Sequence, residues 1–443
     1  MDPDRRPLAG RERWSRLGIA IVGASLGGVV GGFLVVGVTL VLKAGMDLAS
    51  RENTLYVVLV PLLGLALATL VLHGLGRSGG ARARQTHPWR TFPPDAIRAD
   101  ISGDVIECEG VEERFPWRLA PIRALAILAT VGSGGAMGTE APAAYLGVAA
   151  GVCLGDRGRG WRRLLRPAAL AGGAAGVSAL MAAPLVGTAF MLELGLRRRV
   201  PVTAERGTAA LLGGLIGWAI TGYFHFKFIR LIVPHEAPQS FTQAVVTALL
   251  IGALAGGISS LAGLAVARAK KWKASPTVRL AVGGAAIVAT TLILARIATP
   301  SAAVGPGGGA ILWAEHSKAI PSILLAVCAL RALATTAAVA AGGCGGVFVP
   351  FLAIGDIAGR VFAPGLDLSS DLAGAAGAAG GIAGGYRLPI TALVMVVSVG
   401  GSHLAMLTCF ATAAVAFYAG LSVEAALSRL KAVVSVRHQA PVH

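Results

Sequence analysis

The feature that most limits what this sequence can fold into is the length of its apolar runs. Residues 17–43, 54–73, 241–267 and 319–340 each approach or exceed a bilayer-spanning length, which is about 20 residues for a helix. In lipid every backbone N–H and C=O must find its partner inside the protein, so such segments are helices. Other apolar stretches, 118–131, 165–192 and 370–399, are broken by Gly and Pro. They read as helices that stop, restart or tilt within the protein. Only 14% of the residues are charged, against about a quarter in soluble domains. The expected fold class is an all-α polytopic membrane protein, with multi-pass localisation in a bacterial inner (plasma) membrane.

The net charge of +17 does not indicate a nucleic-acid partner, because the basic residues sit in short segments: Arg5 to Arg16, Arg197 to Arg199 and Arg268 to Lys273. Lys and Arg flank membrane helices on the cytoplasmic side. Residues 1–16 form a basic amphipathic cytoplasmic segment, with Trp14 and Leu17 at the lipid interface. The first apolar run is too long for a signal peptide and no cleavage pattern follows it. Residues 81–117 are the one sizeable hydrophilic insertion, an exposed loop with room for a short helix or hairpin. Cys108, Cys153, Cys328, Cys344 and Cys409 are scattered, with neither disulfide nor metal spacing. No metal, no cofactor and no catalytic residues are expected, and no soluble regulatory domain after Leu430.

The second half repeats the first in outline. Gly138-Thr-Glu-Ala-Pro142 is followed by Ala183-Pro184-Leu185, and Gly346-Val-Phe-Val-Pro350 by Leu388-Pro389-Ile390. The two prolines of each pair stand 42 and 39 residues apart. This predicts a first membrane repeat over 17–233, a second over 234–434 and a tail over 435–443. Internal repeats with broken helices are a transporter architecture, with the site where the broken ends meet.

Glu140 is the residue that calls for an explanation. No charge lies within 15 residues of it on either side, and a carboxylate in apolar membrane sequence marks a functional site. Pro142 suits the first turn of a helix, so Glu140 sits at a helix start. Three Gly-rich loops, Gly76–Gly80, Gly138–Pro142 and Gly342–Pro350, each adjoin apolar helices. Helix N-termini carry unpaired N–H groups and about half a positive charge, and several aimed at one point bind an anion without a full cation.

These motifs resemble those of the CLC chloride channels and chloride/proton exchangers. Gly138-Thr139-Glu140-Ala141-Pro142 is similar to that family's Glu motif, Gly346-Val347-Phe348-Val349-Pro350 to its Phe motif, and Gly76-Arg77-Ser78-Gly79-Gly80 to its Ser motif. The resemblance implies a CLC-type fold of two inverted-topology repeats without CBS domains, forming a homodimer in the bilayer with one pathway per subunit. It implies voltage-gated or proton-coupled transport of chloride or similar anions. Ser78 would coordinate the anion through its hydroxyl, with Gly346, Val347 and Phe348 at the same site. Thr139, Glu140 and Ala141 would face an outer site, and Glu140 would be the gate, competing with chloride for the same N–H groups. Ser78 argues against the fluoride-specific branch.

The departures bear on coupling. Family exchangers carry a proton-transfer glutamate where this chain has Leu194, one residue after Glu193. The expected behaviour is therefore passive, channel-like anion transport or weak proton coupling. The alternative is a coupled antiporter using Glu193 as its proton pathway, and Glu193 also reads as an interfacial partner of Arg197–Arg199. The family's anion-coordinating Tyr has no match: Val423 stands there, and Tyr418 comes too early. Arg331 and Arg387 read as structural, Asp356 and Arg360 as an i,i+4 pair, and His403 as interfacial. A membrane-embedded enzyme or another ion-coupled carrier is a remoter reading, since no acid–base pair or metal cluster accompanies the lone glutamates.

Overall fold

The computed structural model describes residues 10–50, 53–75, 101–226, 228–229 and 231–439. Within these the protein is all-α. In chain order the helices are α1 Gly10–Ala49, α2 Thr54–Leu70, α3 Ile101–Cys108, α4 Ala120–Val131, α5 Glu140–Gly155, α6 Leu165–Met181, α7 Pro184–Arg197 and α8 Ala204–Tyr223. They continue as α9 Phe241–Lys271, α10 Pro276–Ile297, α11 Pro300–Ala303, α12 Gly308–His316, α13 Pro321–Ala340, α14 Phe348–Arg360, α15 Ser370–Gly381, α16 Pro389–Val399 and α17 His403–Gln439. Among the described residues, seven helical stretches are long and apolar enough to cross a membrane, including those expected from the long runs. α5 and α16 are apolar but shorter.

The helix starts follow from local chemistry. Thr203, Ser240, Ser275 and Ser369 each accept a hydrogen bond from the N–H three residues on, satisfying one of the first-turn donors. α7, α10, α11, α13 and α16 begin on proline, whose missing N–H would have been unpaired there anyway. In the polar insertion, residues 101–108 form the helix α3, and residues 81–100 lie outside the described residues. Trp14 is exposed near the start of α1, and the expected interfacial His403 is exposed at the start of α17.

The chain divides into two compact units. One comprises 1–41, 71–125 and 140–229; the other comprises 42–70, 126–139 and 230–443. In the first, α6 is the hub, packed against α5, α7 and α8, while α3 packs against α5 and α7. The α5–α6 contact requires glycine. A Cβ on Gly147 would overlap the Gly172 carbonyl, and one on Gly172 would overlap that of Gly147. Backbone contact of this kind is how helices associate where lipid removes the hydrophobic drive.

In the second unit α9 packs along α17, α14 against α15, and α10 against α13. Its cations find acceptors within the unit. Arg331, 1% exposed, donates to the carbonyls of Ala303 at 3.2 Å and Gly305 at 2.6 Å. Arg387 donates to the Phe417 carbonyl at 3.1 Å and pairs with Glu424 at 2.8 Å. Arg360 Nε meets Asp356 Oδ1 at 2.8 Å, and Arg360 also donates to Ser370 Oγ at 2.5 Å.

Breaking a buried pair on one side leaves an uncompensated charge, at a cost of about 3–5 kcal/mol. Asp356→Ala should therefore strongly lower the thermal unfolding temperature of the detergent-solubilised protein. A shift no larger than that of an exposed Glu236→Ala control would show that the pair does not hold α14.

Candidate functional site

The glutamate and phenylalanine motifs meet through their lead-in segments. Gly138 donates to the Gly346 carbonyl at 2.7 Å, and Gly346 donates to the Gly138 carbonyl at 2.7 Å. This antiparallel bridge ties two stretches 208 positions apart in sequence. Cys344 N–H also donates to Thr130 Oγ1 at 3.0 Å. The bridge lies two residues before Glu140 and two before Phe348, the first residues of α5 and α14. Pro142 and Pro350 are each the third residue of their helix. The two motifs thus share one register, which the sequence repeat predicts.

This register decides which groups remain for a ligand. The first N–H groups of a helix have no intrahelical acceptor. With proline at the third position, the donors at these starts are those of Thr139, Glu140 and Ala141 on one motif, and of Val347, Phe348 and Val349 on the other. All six residues are buried: Thr139 is 1% exposed, Glu140 0%, Ala141 2%, Val347 6% and Phe348 0%. The Thr139 hydroxyl is buried with no hydrogen-bond partner among the described residues. Each helix start presents buried N–H donors of the kind that receive anions.

The Gly346 N–H is taken up by the Gly138 carbonyl. Ser78, the expected hydroxyl ligand, lies outside the described residues. Tyr418 is exposed on α17. The tyrosine that does meet the Phe motif was not foreseen. Tyr386 lies 5.7 Å from the Phe348 ring and 6.2 Å from the Phe351 ring, both edge-on. It closes a π-helical turn, Ile382–Tyr386, just before Arg387 in the left-handed region at φ 63°. Such single π turns collect at functional sites.

On α7, Glu193 and Leu194 are both buried, at 5% and 2% exposure. A second buried carboxylate, Glu109, follows α3. It pairs with Arg206 at 2.6 Å, and Arg206 reaches Glu112 at 3.1 Å. Arg123 is stacked over the Tyr145 ring at 4.9 Å and pairs with Asp104.

Comparisons with known proteins bear on the family and the fold. The family model described as voltage gated chloride channel matches residues 89–420. The H(+)/Cl(−) exchange transporter ClcA of Yersinia pestis bv. Antiqua (strain Angola) is 26% identical over 351 residues, covering 74% of this chain and 71% of that protein. ClcA of Vibrio cholerae serotype O1 (strain ATCC 39541 / Classical Ogawa 395 / O395) is 25% identical over 325 residues, covering 70% and 68%. In fold, the chain is similar to a slow cyanobacterial Cl−/H+ antiporter, with a TM-score of 0.72, 21% identity and coverage of 94% and 98%. It is also similar to a CLC-type fluoride/proton antiporter, with a TM-score of 0.66, 20% identity and coverage of 93% and 96%.

The edge-on contacts give a stability test. Aromatic pairs of this geometry contribute about 0.5–1.5 kcal/mol each beyond their buried area. Tyr386→Ala should destabilise by about 1–3 kcal/mol in thermal unfolding, while Tyr386→Phe keeps the ring and stays near wild type. Equal effects of the two variants would assign the contribution to the hydroxyl instead.

Proposed function

This chain belongs to the voltage-gated chloride channel (CLC) family of multi-pass membrane anion transporters, and within that family we propose that it exchanges chloride for protons. The observation that carries the reading is the Gly138–Gly346 bridge, which sets a buried carboxylate, Glu140, at the first position of α5. Relatives named H(+)/Cl(−) exchange transporters support coupled exchange over the passive, channel-like transport that Leu194 suggests. The passive reading rests on that single position.

The mechanism follows from competition between like charges. Chloride binds the N–H groups of Val347 and Phe348, with the Ser78 hydroxyl as a further donor. Nearer the outer face, the N–H groups of Thr139 and Ala141 donate either to chloride or to the ionised Glu140 side chain. A carboxylate is itself an anion, so it holds that position until chloride displaces it or a proton neutralises it. Protonated Glu140 leaves and carries its proton, and chloride takes its place. One group thereby serves both ions, so their movements are opposed and coupled. Glu193, buried on α7, is the carboxylate that α7 itself offers for proton passage toward the cytoplasm. Each subunit of a homodimer would hold its own pathway.

Reconstitution in liposomes tests this. An outward-directed chloride gradient should drive uphill proton uptake in the wild-type protein. Glu140→Gln should retain chloride flux, lose its pH dependence and lower proton uptake at least tenfold. A Glu140→Gln variant with wild-type pH dependence would remove Glu140 from the mechanism, and a wild-type protein that moves no protons would remove coupling.

A further inference from the structure

Leu194 cannot carry a proton, but a carboxylate from another element reaches the same turn of α7. A methyl built on Gly195, the next residue, would lie 3.4 Å from Glu109 Oε2 and 2.9 Å from an Arg206 terminal nitrogen. Glu109 follows the last residue of α3, which packs against α7. The place where α7 lacks a titratable group is therefore flanked by one from the polar insertion.

The surroundings of Glu109 suit a group that gains and loses a proton. Its side chain is 3% exposed, with Oε2 2.6 Å from Arg206 on α8. The same guanidinium reaches Glu112 Oε1 at 3.1 Å. Two carboxylates thus share one cation, and Glu112 still compensates Arg206 when Glu109 is neutral. Burial pushes the Glu109 carboxyl up to about 7, against the Arg206 charge and with help from Glu112. The other charged groups around this cluster are Arg166, 3.9 Å from Glu112, and Glu193 two residues before Gly195.

Water has a route to the cluster. A half-open cavity of about 520 Å³ is lined by Gly110, Glu112 and Arg206, with Arg16, Arg163 and Glu205 among its other walls. Glu112 Oε2 is buried and accepts no hydrogen bond among the described residues, an unsatisfied acceptor beside that cavity. Arg16 and Arg163 stand near the starts of α1 and α6, and basic helix ends mark the cytoplasmic side.

We propose that Glu109 is the cytoplasmic proton-loading residue of this transporter, taking the part that Leu194 cannot. This rests on the reading of coupled chloride/proton exchange. In the loading step a lone pair on a Glu109 carboxylate oxygen binds a proton from hydronium in the cavity. This forms one O–H bond and leaves one water. The neutral carboxyl releases the proton inward toward Glu140 and is restored as carboxylate. Arg206 holds Glu109 in place throughout.

The test measures chloride efflux and chloride-driven proton uptake in liposomes for the wild-type protein, Glu109→Gln and Glu109→Asp. The wild-type protein should take up protons, Glu109→Gln should keep chloride efflux but lose proton uptake at least tenfold, and Glu109→Asp should retain it. Coupling in Glu109→Gln within twofold of wild type would overturn this inference alone and leave the exchange reading standing. Equal losses in the Gln and Asp variants would overturn it in favour of a packing role. A wild-type protein that moves no protons would overturn the exchange reading and this inference together. If Glu109→Gln fails to reconstitute, the pH profile of the wild-type protein decides. The proton-loaded fraction falls as pH rises through about 7, so uptake should decline above neutrality. A flat profile between pH 6 and 8 would overturn the proposal.

Discussion

The pair of hydrogen bonds between Gly138 and Gly346 is what allows two helices to begin inside an apolar protein. An unpaired backbone group in such a setting costs several kcal/mol, so a chain cannot leave helical geometry there unless another segment satisfies it. Here each lead-in satisfies the other. Gly305 N–H donates to the Gly134 carbonyl at 2.7 Å, and Cys344 N–H to Thr130. Proline at the third position of both helices removes one N–H from each start. The N–H groups ahead of it in each first turn have no intrahelical acceptor, and these are the donors on which the proposed anion pathway draws.

The same accounting applied to charged side chains separates scaffold from machinery. Arg331 is solvated by carbonyls, and Arg360 is matched by Asp356. Both arrangements are closed, with a charge or dipole set against each buried charge. Arg206 differs, because two carboxylates converge on one guanidinium, with Arg166 as a second cation near Glu112. Buried groups whose environment holds them near neutral titration are where proton chemistry is found.

Much of this was legible in the sequence because it depends on short spacings. The long runs dictate the spans, and the four-residue interval between Asp356 and Arg360 dictates their pairing on one helix face. The matched prolines of the Glu and Phe motifs encode a common register. Glu109 was hidden for the opposite reason. It is one of several acidic residues in a polar insertion, and no local pattern distinguishes a carboxylate folded under α7 from one facing solvent. Tyr386 was hidden too, because its contacts with Phe348 and Phe351 bring together residues 35 or more positions apart. The engagement of the Gly346 N–H by Gly138 was hidden as well, because a motif indicates which residues cluster but not which N–H of the cluster already has a partner.

The glycine contact between α5 and α6 also bears on how fast the transporter can work. Gly147 and Gly172 bring the two backbones together with no side chain between them, and close-packed interiors have little slack to slide. The helix that begins at Glu140 is therefore a fixed post. In the proposed mechanism the moving part is the Glu140 side chain, and side-chain rotations are far quicker than the rocking of whole helical bundles. Exchange by that route asks for no displacement of α5 itself.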